Sequence, residues 1–220
     1  FLDRDEMHHS HPALIVALGH SHFLDYREKG KRMSEETQQL TNLGIEHYND
    51  PYAFFGRNPG VTGIVMTKDK HLIVGQRNLK TDLVQFAGLL QGPAGHLTYK
   101  EDPRQVDIPN EMEKEITEET GVLKEKISHL EFLGLFSFPD VAGDDLDFCY
   151  LSHVDVPSVY FTSGRWKNEV KKPEHKDFFA IPDYGTLQEL ITNGNLHNKN
   201  YDIVFSTRGP LTRIKPEDFK

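Results

Sequence analysis

Asn110-Glu111-Met112-Glu113-Lys114-Glu115-Ile116-Thr117-Glu118-Glu119-Thr120-Gly121-Val122 is the stretch on which the fold turns. Met112 and Ile116 lie four apart and give a helix an apolar stripe. Asn110 followed by Glu113 has the spacing of a capping box, and Pro109 disfavours an earlier helical start. Gly121 stands where a helix ends on a left-handed residue. The spacing therefore predicts a helix over residues 110–120. Its carboxylates are anomalous. Glu111, Glu115 and Glu119 recur every four residues, and Glu118 joins their side. Like charges so placed cost an isolated helix about 0.2–0.5 kcal/mol per pair. Glu118 and Glu119 also fall at the negative end of the helix dipole. Lys114 offsets part of this repulsion by reaching Glu111 and Glu118, but one cation does not neutralise the cluster. Two readings stay open on the helix alone: a solvated acidic face, or a set of oxygen donors for Mg²⁺ or Mn²⁺.

Outward from the helix, the chain alternates strands and helices. Val61–Thr67 and His71–Gln76 read as a hairpin around Lys68-Asp69-Lys70. Residues 98–109 are polar, with two prolines, and read as a loop. Strands are expected near residues 130–138 and 148–156, with an acidic loop from Asp140 to Asp147 between them. Val159–Phe161 reads as a further strand, residues 164–176 as a polar loop, and residues 177–181 as a segment leading into a helix over 186–192. Ile203–Ser206 reads as a late strand. Interleaved strands and helices place the chain in the mixed α/β class. Before residue 59, a strand near Pro12–Leu18 and a helix capped by Ser34 read as an N-terminal extension. The division is therefore an extension over residues 1–58 and a main domain over 59–220.

The balance of 25 Lys and Arg against 34 Asp and Glu leaves a net charge of −9 over 220 residues. That argues against stable nucleic-acid or anionic-membrane partners, which require a basic face. A single Cys, Cys149, excludes an internal disulfide and a multi-cysteine zinc site, and reads as a buried strand residue. The apolar run at residues 13–18 is far shorter than the ~20 residues that span a bilayer. A cytoplasmic protein is the expectation. The early histidines His8, His9 and His11, and the 140–147 loop, are weak metal candidates; the loop lacks EF-hand spacing.

Upstream of the helix stand Pro93-Ala94-Gly95-His96-Leu97 and, after five residues from Gly95, Glu101. Together with Lys114-Glu115-Ile116-Thr117-Glu118-Glu119-Thr120-Gly121-Val122 they resemble the Nudix box, Gly-x5-Glu-x7-Arg-Glu-U-x-Glu-Glu-x-Gly-U, where U is a bulky aliphatic residue. The chain departs from it twice. Lys114 stands at the Arg position, and twelve residues rather than seven separate Glu101 from Lys114. Lys keeps the charge but loses the planar fork that grips a carboxylate at two points.

The resemblance implies an α/β/α sandwich on a mixed sheet. It also implies a Mg²⁺- or Mn²⁺-dependent pyrophosphatase that cleaves the diphosphate bond of a nucleoside diphosphate linked to another moiety. A nucleotide sugar or ADP-ribose is favoured over a nucleoside triphosphate. It further implies Glu115, Glu118, Glu119 and the Gly95 carbonyl as metal ligands, Glu118 or Glu174 as general base, Lys114 as the orienting cation and Glu101 as its support. Arg77 and His96 are candidate substrate contacts. Extensions like residues 1–58 often make dimers in the nucleotide-sugar branch, so a homodimer is expected. The alternative function is a Nudix-like module that senses a nucleotide or binds a protein without turnover.

Overall fold

A computed structural model describes residues 35–51, 53–54, 59–79, 86–98, 100–102, 105–138 and 145–220. The expected strand near Pro12–Leu18, the Ser34 cap, the boundary at residue 58 and most of the acidic loop after Asp140 lie outside them. Helix α1 spans Glu35–Tyr48. Strand β1 (Pro59–Thr67) and strand β2 (Leu72–Arg77) form the expected hairpin. The short strands β3 (Leu90–Gln91) and β4 (Ala94–His96) precede helix α2 (Ile108–Thr120). Next come β5 (Ile127–Phe138), β6 (Asp145–Val154), α3 (Ser158–Thr162), β7 (His175–Ile181) and α4 (Tyr184–Asn193). A small hairpin, β8 (Asn195–Leu196) with β9 (Lys199–Asn200), leads to α5 (Phe205–Leu211).

The sheet runs β3-β2-β1-β6-β5, with β4 also on β1 and β7 on β2. Its one parallel pair among the described strands is β1 with β6, in register from Pro59↔Leu146 to Thr67↔Val154. A parallel pair at the sheet centre needs cover on both faces, and β1 accordingly is buried almost throughout. Its alternate side chains serve two cores. Val61 and Val65 join Met112 and Ile116 of α2, Phe161 of α3, Trp166 and Phe178 on one face. Ile64 and Met66 join Leu187 and Leu190 of α4 and Leu211 of α5 on the other. The result is two helical layers on a mixed sheet. No described helix is long and apolar enough to cross a membrane.

Four local expectations are corrected. Helix α2 starts two residues early. Its N-cap is Asp107, whose carboxylate accepts from the Asn110 backbone N–H at 3.1 Å, so Asn110 is not the cap. Pro109 sits inside the first turn, where its missing N–H costs nothing. Val159–Phe161 is helical rather than extended, because Asp69 in the first hairpin turn accepts from both the Ser158 N–H (2.8 Å) and its hydroxyl (2.7 Å). Ile203 makes only an isolated bridge to Leu90, and the chain then turns into α5. The loop expected over 164–176 includes a helical turn, Arg165–Asn168, which buries Trp166 against Phe178. Cys149 is buried in β6, as expected.

Candidate active site

Helix α2 is held against the sheet by Met112 and Ile116, both fully buried. Gly63 in β1 allows the close approach, since a Cβ there would come within 2.8 Å of the Met112 methyl. At 3.6 residues per turn, this docking carries Glu111, Glu115 and Glu119 along the helix flank that faces β4 and the start of β7. Each of the three meets a different strand or loop group.

Glu119 is almost completely buried. One of its oxygens accepts from the Ala94 backbone N–H of β4 at 2.9 Å, and the other faces His175 Nε2 at 2.6 Å. Glu115 lies over Gly95, where any Cβ would overlap its carboxylate; with glycine there, the carboxylate sits directly against the β4 backbone. Burial, then the nearby Glu119 charge, push Glu115 up to about 7, with Glu118 and Glu174 adding to the shift and Lys114 opposing it. Glu111 is buried and accepts from the Thr98 hydroxyl at 2.6 Å. Glu118 is exposed.

Glu174 reaches the same region from the residue before β7. It is half exposed and pairs with Arg77 Nη2 at 3.1 Å. Burial and the Glu119 charge raise its carboxyl, against the lowering effect of Arg77. Arg77 itself is buried, and its other terminal nitrogen donates to Gln91 at 2.6 Å. A β-bulge between Gln76 and Arg77 shifts the β2–β7 register there, opposite His175. Adjacent residues at the strand start serve different partners: Glu174 meets Arg77 and His175 meets Glu119.

Among the sequence-derived candidates, Glu115, Glu118, Glu119, Glu174 and Gly95 are thus brought together. Lys114 is 43% exposed and pairs loosely with Glu111 (3.8 Å) and Glu115 (3.9 Å). Arg77 is turned inward as the partner of Glu174. His96 is exposed at the end of β4, and Glu101 is exposed in the bend beyond it. His175 and Thr98 were absent from the sequence candidates. No spacing signal marks them, since each meets its carboxylate only through the tertiary fold.

The donor set can be tested against the divalent cation implied by the box. The groups are all oxygen donors, which suits Mg²⁺ or Mn²⁺. Burial raises the Glu115 carboxyl most, and the charges of Glu119, Glu118 and Glu174 raise it further against Lys114. Each carboxylate oxygen has two lone pairs, so the two hydrogen bonds at Glu119 leave it able to bind a cation. Among the described residues no three His, Cys, Asp or Glu side chains are already grouped closely enough to hold a metal ion. The fit is one of charge and donor chemistry.

No protein-family model matches the chain, and no curated protein matches it. Solved structures do. DR0079 from Deinococcus radiodurans is 13% identical, with a TM-score of 0.51 over 76% of this chain and 90% of that one. The NUDIX domain of Shewanella oneidensis NrtR, complexed with ADP ribose, is 16% identical, with a TM-score of 0.49 over 82% of this chain and 96% of that one. A MutT protein from Methanosarcina mazei Go1 is 14% identical, with a TM-score of 0.49 over 76% and 99%. At such identities the likeness is one of fold. With helices on both faces of a mixed sheet and helix α2 packed on β1, the chain has an α/β/α fold similar to that of DR0079.

Proposed function

We propose that this chain is a metal-dependent Nudix-type pyrophosphatase that hydrolyses the diphosphate bond of a nucleoside diphosphate joined to another group. Nucleotide sugars and ADP-ribose are the favoured substrates. The observation that supports this reading best is the Glu115 carboxyl. It is held against Gly95 among Glu119, Glu118 and Glu174 with too little positive charge to balance it. A bare cluster of that kind opposes folding of the metal-free chain, and a bound cation would relieve it.

Glu115, Glu118, Glu119 and the Gly95 carbonyl would hold Mg²⁺ or Mn²⁺. When bound, the cation supplies neutralisation of phosphate charge and acidification of water. The chain's own residues do the rest. Ala94 N–H and His175 fix the Glu119 carboxylate. Arg77 fixes Glu174, whose carboxyl is raised by burial and the Glu119 charge and is therefore more basic than an ordinary carboxylate, which makes it the favoured base over the exposed Glu118. Lys114 tempers the repulsion between Glu111 and Glu115.

The test is a hydrolysis panel with Mg²⁺ or Mn²⁺: nucleotide sugars, ADP-ribose, dinucleoside polyphosphates and triphosphates. Metal-dependent release of a nucleoside monophosphate, lost in Glu119→Gln and reduced more by Glu174→Gln than by Glu118→Gln, is expected. Saturable nucleotide binding without product across the panel would replace this reading with that of a sensor or binding module.

A further inference from the structure

We propose that His175 is a positioning residue for Glu119: its Nε2–H sets the carboxylate in the orientation from which it binds the divalent cation. The inference rests on the hydrolase reading above and adds to it a residue from outside the box. Among the described residues Glu119 has two hydrogen-bond partners, the Ala94 N–H at 2.9 Å and His175 Nε2 at 2.6 Å. The backbone donor fixes one oxygen. The imidazole fixes the other, and the two together leave the carboxylate no free rotation. Lys114, the cation within the box, pairs with Glu111 and Glu115 instead.

The surroundings of His175 show that the ring is there for this bond. It is fully buried, its ring centroid lies 4.8 Å from that of Phe178 with the planes tilted by 45°, and Nδ1 has no partner among the described residues. A buried nitrogen without a partner carries an uncompensated desolvation cost, so an apolar side chain would serve packing better. With Nδ1 bare, the proton belongs on Nε2, facing the carboxylate. Gly75 in β2 makes room, because a Cβ there would overlap the ring. The β-bulge at Gln76/Arg77 sets the register of this strand end.

Hydrogen-bond partners of metal ligands typically change metal affinity by 10- to 100-fold when removed. The experiment is therefore Mn²⁺ binding to the full chain, read from the electron paramagnetic resonance signal of free Mn²⁺, alongside circular dichroism and thermal melting. His175→Met fills the space without a donor; His175→Gln keeps an N–H. The Kd for Mn²⁺ is expected to rise roughly 10- to 100-fold in the Met variant and to recover by most of that factor in the Gln variant. Gly75→Ala, which displaces the ring from the neighbouring strand, is expected to weaken binding as the Met variant does. It carries the test should the Met variant not fold. Lys114→Ala is expected to lose less affinity than His175→Met. A folded Met variant that binds Mn²⁺ within twofold of the parent, or equal losses in the Met and Gln variants, overturns the role of His175 while leaving the hydrolase reading in place. A parent chain with neither Mn²⁺ binding nor turnover overturns both.

Discussion

Glu115→Gln should make the metal-free protein more stable at pH 8, and the size of the gain follows from the site. The Glu115 side chain is 13% exposed, and its carboxyl rises from an ordinary 4.5 to about 7 through burial first and the Glu119 charge second. Below pH 4.5 the group is neutral in both folded and unfolded chains. Between pH 4.5 and 7 the unfolded chain has released this proton and the folded chain has kept it, so folding holds one proton more and stability falls as pH rises. Above about 7 both forms are ionised and the loss is complete. At about 1.4 kcal/mol per tenfold, the full loss is about 3 kcal/mol, a substantial share of a domain's stability. For a chain of this size that is roughly 6–12 °C in Tm. Glu174, also raised by burial and the Glu119 charge, acts with the same sign. Urea unfolding in the presence of a chelator at pH 5 and pH 8 measures the effect in parent and Glu115→Gln. The parent should lose stability across this interval, the variant should lose about 3 kcal/mol less, and Mg²⁺ at pH 8 should restore the parent more than the variant. If both chains show the same pH dependence, or if the variant is the less stable at pH 8, the buried-charge account of the site is wrong.

Two other outcomes test the packing and the proton chemistry separately. Ile116→Ala removes a fully buried side chain between α2 and β1 and should cost about 2–5 kcal/mol in urea unfolding; a loss under 1 kcal/mol would mean the helix is not docked as described. Arg77→Met removes the charge that lowers the Glu174 carboxyl, so the acid limb of kcat/KM should move to higher pH; an unmoved limb would take Glu174 out of the base role.

The box helix was legible because all its signals are local. The Met112–Ile116 stripe, the carboxylates every four residues and the terminal Gly121 each follow from helical period or backbone conformation, and Gly121 indeed has φ 71°. What misled were rules of equal locality overruled by other side chains, one three residues upstream and one far along the chain. Asn110 has a capping spacing, yet Asp107 reaches its N–H and takes the cap. Val159–Phe161 has strand-like composition, yet a carboxylate 89 residues away, Asp69, binds the Ser158 N–H and starts a helix. The site divides in the same way. The negative charge could be read from the sequence, since it repeats along one helix; what surrounds that charge could not, since Ala94, Thr98 and His175 come to it from β4, the segment after it and β7. The division has a physical cause. A helix can gather like charges on its own, but it cannot supply the donors that hold them, because its backbone N–H groups are already spent on its own carbonyls. Donors must therefore come from strand ends and loops. His175 and Glu174 are such donors and acceptors at a strand start, facing Glu119 and Arg77 respectively. For an acidic helix of this kind, the residues that decide between a solvated face and a binding site are those on the facing strand ends: here they bury Glu111 and Glu119 in hydrogen bonds and leave Glu115 with the loose Lys114 contact at 3.9 Å.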